Sequence, residues 1–112
     1  MVALDLGYDN ARAGGQIALA QHLWPGMQAL RIYGSAALGL AFVAAGRWAL
    51  FAHMDLQPWD SAAGILLVHE AGGAVTDADG GKATIYSRGL VAAPAHVHRD
   101  FMTLSAGRSL QA

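Results

Sequence analysis

Apolar runs alternate along the chain with short polar turns, and glycine or proline ends most of the longer runs. Short apolar runs predict strands, whereas longer runs that begin at Asp or Ser predict helices, because those side chains cap a first turn. The predicted strands are residues 2–6, 29–33, 48–54, 74–76 and 90–93. The predicted helices are residues 11–23, 36–45, 61–71 and 95 to about 107, with Ser35 and Asp60 as caps of the second and third.

This alternation of strands and helices favours a layered α/β sandwich with a largely covered sheet. The second predicted helix is apolar on every side, for example at Leu38, Leu40 and Phe42, which predicts burial between layers. No repeat, low-complexity segment or linker interrupts the pattern. We therefore expect residues 1–112 to form one α/β unit.

Composition makes the unit look incomplete. Of its 112 residues, 54% are hydrophobic and only 13% are charged, against roughly 25% charged in a typical domain. A small globule exposes much of its surface, and few charges are present to cover it. We expect part of the apolar surface to be covered by another copy or by a missing piece of the same domain.

Charge and hydropathy argue against several classes of partner. The net charge is −1 and the seven basic residues are scattered, so neither nucleic acid nor an anionic membrane is expected as a partner. The apolar run 34–46 is shorter than a membrane span, and no basic segment precedes an apolar one at the N-terminus. With no cysteine, disulfides and thiolate metal sites are excluded. A soluble, cytoplasmic protein is the expectation.

The most informative stretch is Gln-Pro-Trp-Asp-Ser-Ala-Ala-Gly at 57–64, followed by Glu-Ala-Gly-Gly-Ala-Val-Thr-Asp at 70–77. In structural terms it describes a capped helix that leaves a loop and ends in a glycine turn. A carboxylate at a helix start accepts backbone N–H groups and meets the positive end of the helix dipole. Helix capping alone would therefore explain Asp60.

These two motifs are similar to the second signature of the inositol monophosphatase family. Upstream, Arg-Ile-Tyr-Gly-Ser-Ala-Ala-Leu at 31–38 and Val-Ala-Ala-Gly-Arg at 43–47 resemble the family's Gly-Ser-Ala-Ala helix, at the expected distance. The resemblance covers about residues 31–101. It implies the C-terminal half of the inositol monophosphatase/fructose-1,6-bisphosphatase-like fold, and a Mg²⁺-dependent phosphatase acting on a small phosphorylated alcohol.

The resemblance also assigns roles to particular residues. Asp60 takes the place of a metal ligand, and carboxylate oxygen suits Mg²⁺. Gly34, Ser35 and Ala36 match the segment that contacts the substrate's alcohol, although Ser35 would equally serve as a cap alone. His53 stands where members best known for inositol phosphates carry a Glu that binds sugar hydroxyls. Histidine can still bond to a hydroxyl, so a phosphorylated polyol, sugar or nucleotide fits, unless His53 is a strand-end residue without a role.

The family's other metal ligands belong to its N-terminal half. This chain has no Asp-Gly-Thr and no Gly-Glu-Glu, and its only glutamate is Glu70. One carboxylate is too few for two Mg²⁺ ions, so Mg²⁺ is expected only in a completed site. We expect an inactive C-terminal part whose partner is the missing N-terminal half or a second copy. The alternatives are a non-catalytic interaction or dimerisation module and, more remotely, an unrelated α/β domain.

Overall fold

The computed structural model describes residues 1–106, and every predicted strand and helix is present in it. The strands are β1 (Val2–Asp5), β2 (Leu30–Arg31), β3 (Leu50–His53), β4 (Ala74–Asp77) and β5 (Leu90–Ala93). The helices are α1 (Asn10–Leu23), α2 (Ala36–Ala44), α3 (Pro58–Glu70) and α4 (Ala95–Leu104). The predicted end of the last helix, near residue 107, lies outside the described residues. None of these helices is long and apolar enough to cross a membrane.

The strands form a mixed sheet in the order β2-β1-β3-β5-β4. β1 is parallel to both β2 and β3, whereas β5 is antiparallel to β3 and β4. The carboxyl ends of the parallel strands meet at one edge of a sheet. Because α1, α2 and α3 follow β1, β2 and β3 in the chain, their starts gather at that edge.

Helices cover both faces of the sheet, which confirms the layered α/β sandwich. Side chains alternate between the faces along each strand. Phe51 packs in one core cluster with Leu40 of α2, and the neighbouring Ala52 packs in the other with Leu19 of α1 and Phe101 of α4. The central strands are thus buried on both sides.

Three predicted strands are shorter than expected, β1 by its last residue alone, and β2 and β3 because their ends make other contacts. β2 stops at Arg31, since the N–H groups of Tyr33 and Gly34 donate to a side chain of β1. β3 begins only at Leu50, because the backbone N–H of Trp48 donates to the carbonyl of Phe42 at the end of α2.

The helix α2 is only partly enclosed, although its sequence predicted burial all round. Leu40 and Val43 are buried, but Ala37 is exposed. Helix α3 lies against the buried side so closely that a Cβ on Gly64 would meet Leu40 Cδ1 at 2.4 Å. The glycine sets the separation of the two helices.

Candidate functional site

A cleft of about 830 Å³ opens at the edge where the parallel strands end. It is lined by the last residues of β1 and β3, by residues that follow β1, β2 and β3, by the starts of α2 and α3, and by Arg88 before β5. Of the residues that the sequence singled out, four line the cleft: Gly34, Ala36, His53 and Asp60. Ser35 lies between Gly34 and Ala36 without being part of the lining. The fold therefore brings together positions that are up to 26 residues apart in the chain.

Asp60 is placed differently from the prediction. It was expected to cap a helix starting at residue 61, but α3 begins at Pro58 and Gln57 is the cap residue. Proline suits the first helical position, where its missing N–H is not needed. Asp60 lies in the first turn, and its Oδ2 accepts the backbone N–H of Gln57 at 3.0 Å. The capping prediction was wrong in position, although the carboxylate does stabilise the helix start.

Asp60 can supply only one of the ligands that a divalent cation needs. Mg²⁺ binds oxygen and usually takes one or two carboxylates, completed by water and phosphate oxygens. Within residues 1–106, no group of three or more His, Cys, Asp or Glu side chains is arranged to hold a metal ion. The described part of the chain offers one carboxylate at this position rather than a complete cage.

The Gly34–Ala36 segment is held from both ends. The carboxylate of Asp5 accepts the backbone N–H groups of Tyr33 and Gly34 on Oδ1, at 3.1 and 2.8 Å. Gly34 has φ +78°, a conformation that residues with a side chain rarely adopt. Ser35 Oγ then accepts the N–H of Leu38 at 3.2 Å, which confirms Ser35 as the cap of α2.

Asp5 is a cleft residue that the sequence reasoning missed. It is only 3% exposed, and it is the register partner of His53 across the parallel pair β1–β3. Its Oδ2 is buried without a hydrogen-bond partner among the described residues. Acidic side chains are almost never fully buried unless they are paired. An Asp that ends an apolar strand was therefore the signal that could have identified this position.

His53 lies in the cleft wall with only 7% of its surface exposed. Its Nδ1 accepts the backbone N–H of Asp55 at 3.0 Å. Burial lowers the pKa of His53 below its ordinary value of 6.5, although the charges of Asp5, Asp55 and Asp60 oppose the shift. The neutral form of the imidazole therefore predominates at pH 7.

The rim of the cleft carries an ion pair that no sequence motif indicated. Arg88 Nη2 lies 2.9 Å from Asp55 Oδ1, and Arg88 Nε donates to the same oxygen at 3.0 Å. Burial raises the pKa of Asp55, but its bonds to Arg88 and to the backbone N–H groups of Tyr8 and Asp9 outweigh this and leave the pKa low. The carboxylate of Asp55 is thus already paired, and its partner Arg88 is 33 residues away in the chain.

The sequence profile of the inositol monophosphatase family matches residues 6–109. The chain belongs to the inositol monophosphatase family. It is 42% identical over 84 residues to the inositol-1-monophosphatase of Rhizobium meliloti, covering 75% of this chain and 32% of that protein. It is also 56% identical over 59 residues to the Nus factor SuhB of Escherichia coli, covering 53% of this chain and 22% of that protein.

A solved structure supports the same assignment for the fold. The extragenic suppressor protein suhB of Bartonella henselae superposes with a TM-score of 0.85 at 36% identity, covering 95% of this chain and 41% of that one. The chain spans about a third of the length of the first inositol monophosphatase relatives it matches and aligns to their C-terminal region. This confirms the expectation of a C-terminal portion of the inositol monophosphatase fold.

Proposed function

We propose that this chain is the C-terminal part of a Mg²⁺-dependent phosphomonoesterase, and that it is inactive by itself. Its substrate would be inositol monophosphate or a related phosphorylated polyol, sugar or nucleotide. The observation that carries the proposal is the shared cleft. Gly34, His53 and Asp60 come from three different parts of the chain, and they line one opening at the carboxyl edge of the sheet.

The lining residues suit the parts of a phosphate ester. Asp60 would hold the Mg²⁺ ion, which supplies charge neutralisation and activation of a water molecule when it is bound. Gly34 has no side chain, so a ligand can approach the backbone closely there. Ala36 continues the wall at the start of α2, with Ser35 beside it as the cap of that helix, and His53 faces the same opening from β3. In this arrangement the alcohol part of the substrate lies between α2 and β3, with its phosphate towards Asp60.

We expect the separate chain to be inactive because the carboxylates of its cleft already accept hydrogen bonds or form ion pairs within the fold. Asp5 Oδ1 is occupied by two backbone N–H groups, and Asp55 is paired with Arg88. Asp60 Oδ2 also accepts the N–H of Gln57, so each of these three carboxylates has one oxygen engaged within the fold and none offers two free oxygens to Mg²⁺. A phosphomonoesterase of this kind needs further ligands, which we expect from the N-terminal half of a longer protein or from a split partner.

The test is Mg²⁺-dependent hydrolysis of inositol 1-phosphate and a panel of phosphate esters. The pure chain is expected to show none. Mixing it with the N-terminal portion of a family member should restore hydrolysis, and Asp60→Asn should abolish the restored activity. Asp100→Asn, the same change on exposed α4, serves as the matched control. Activity of the chain alone would refute its inactivity, and restored activity that survives Asp60→Asn would refute the metal role.

A second candidate function is a non-catalytic interaction module, which is supported by exposed aromatic side chains on the surface. Large aromatic side chains are well exposed, namely Tyr8 at 102%, Trp59 at 78% and Tyr86 at 81%. Such side chains often mark interaction surfaces when they cluster. One similar protein is named a Nus factor rather than a phosphatase. A monomeric mass in solution at micromolar concentration would count against the module and against the homo-oligomer that we also propose.

The remaining parts of the proposal concern location and partners. We propose a cytoplasmic protein that binds neither nucleic acid nor membrane, supported by its net charge of −1 and scattered basic residues. Fractionation of cells that express the chain, together with retention on immobilised nucleic acid, tests both statements. Recovery in the membrane fraction or salt-sensitive retention would contradict them.

A further inference from the structure

The hydrogen bond between β3 and the turn after it determines where His53 carries its proton. The backbone N–H of Asp55 donates to His53 Nδ1 at 3.0 Å. A ring nitrogen that accepts a hydrogen bond bears no proton, and a neutral imidazole has only one proton to place. The proton must therefore lie on Nε2. Since the donor is a backbone group, the tautomer is set by the fold and not by the side chain of residue 55.

The same bond opposes a second proton on the ring. A proton on Nδ1 would point at the Asp55 N–H, so charging the ring requires breaking that bond. Burial acts in the same direction and lowers the pKa of His53, against the opposing charges of Asp5, Asp55 and Asp60. Within residues 1–106 the structure gives Nε2 no hydrogen-bond partner, and the ring lines the cleft. His53 thus has one neutral donor to offer a ligand.

We propose that His53 is a specificity-determining residue, presenting Nε2–H as a neutral hydrogen-bond donor to an oxygen acceptor on the alcohol part of the substrate. A carboxylate at this position would accept and would require a donor on the ligand. Nε2–H instead requires a lone pair, which a hydroxyl, ether or carbonyl oxygen provides. An ammonium group provides none. This inference rests on the proposed function, because that function identifies the cleft as the binding site of the alcohol.

The tautomer is tested first, on the 112-residue chain without any ligand. Long-range ¹H–¹⁵N correlation of the ¹⁵N-labelled protein distinguishes a protonated from an unprotonated ring nitrogen. We expect His53 Nδ1 to be unprotonated and Nε2 to be protonated at pH 7. The reverse assignment would overturn the inference whether or not the protein is a phosphatase.

The specificity role is tested after the chain has been mixed with the N-terminal portion of a family member, by binding of inositol 1-phosphate in the presence of Mg²⁺, with inorganic phosphate as the second probe. One neutral hydrogen bond is worth about 1 kcal/mol, so His53→Phe should weaken inositol 1-phosphate binding by about three- to tenfold. Binding of inorganic phosphate should not change. His53→Gln keeps a neutral N–H donor and should recover most of the lost affinity, which a purely structural role would not explain.

His96→Phe provides the matched control, because His96 is exposed on α4 and does not line the cleft. Equal affinity of the wild type and His53→Phe for inositol 1-phosphate would overturn the specificity role. Weakened binding of both probes by His53→Phe, without recovery by His53→Gln, would also overturn it. If the wild-type chain completed in this way binds neither probe, the proposed function fails and the specificity role with it, while the nitrogen shifts still decide the tautomer.

Discussion

Replacing Gly64 by alanine tests how closely α2 and α3 must approach each other. A Cβ at this position would lie 2.4 Å from Leu40 Cδ1 and 2.6 Å from Leu40 Cβ. The terminal methyl group could rotate away, but Leu40 Cβ is bonded directly to the backbone of α2. The two helices must therefore move apart. Because α2 starts at the Gly34–Ala36 segment and α3 carries Asp60, their separation also widens the cleft.

Two opposing terms decide the size of the effect. Alanine is better than glycine in a helix by about 1 kcal/mol. Overpacking of a well-packed core costs about 1–3 kcal/mol, and a clash with a Cβ belongs in the upper part of that range. We therefore expect Gly64→Ala to lower the free energy of unfolding by about 1–2 kcal/mol.

Gly14→Ala is the matched control. Gly14 lies in α1, is exposed, and has no heavy atom within 4 Å of an added Cβ. Only the higher helix propensity of alanine acts there, so the free energy of unfolding of this variant should rise by about 1 kcal/mol. Urea unfolding followed by tryptophan fluorescence and circular dichroism measures both variants. Equal stabilisation by the two substitutions would refute the view that Gly64 sets the distance between α2 and α3.

Three further predictions concern residues in the cleft wall or next to it. Asp5→Ala removes the acceptor for two backbone N–H groups and should lower the free energy of unfolding by about 2 kcal/mol, whereas Asp5→Asn should lower it less. Faster amide hydrogen exchange at Gly34 in the alanine variant would show that the lost bonds are the cause. An equal loss of stability in the two variants would contradict this explanation. Ser35→Ala should destabilise α2 by about 1 kcal/mol and Ser35→Asn should not, as measured by urea unfolding. Because the pKa of His53 is lowered from 6.5 on folding, the unfolded chain binds more protons, so stability is fully present above pH 6.5 and falls as the pH decreases below it. Urea unfolding on both sides of pH 6.5 should show a smaller decrease for His53→Gln, and an equal decrease would contradict the assignment to His53.

The order and type of the structural elements could be predicted from the sequence because they depend on local chemistry. Ser35 was identified as the cap of α2 and confirmed, since a hydroxyl before an apolar run has few other local uses. The strand at Leu90–Ala93 was predicted with its observed bounds. Helix α3 was misplaced at its start because Pro58, which lies before the predicted start at residue 61, is a favourable first helical residue.

Membership in the inositol monophosphatase family was likewise readable from the sequence, since its motifs lie within short continuous segments. The resemblance singled out Gly34, Ala36, His53 and Asp60, and the structure places all four in the lining of one cleft. Their chemical roles remain proposals. Such motifs carry information about neighbours in the chain, and so they could not reveal the contacts that Asp5 and Arg88 make across it.

By itself, then, the sequence determined the layered α/β class, the cap of α2 and the family, because hydrophobic period, capping residues and motifs all act over a few residues. Only the tertiary structure decided that Asp5 is buried beside His53, that Asp55 is paired with Arg88, and that the Asp55 N–H donates to His53 Nδ1. These contacts depend on strand order, register and the path of turns. Those are set by packing of the whole sheet, since a shift of one residue would turn Asp5 away from the cleft.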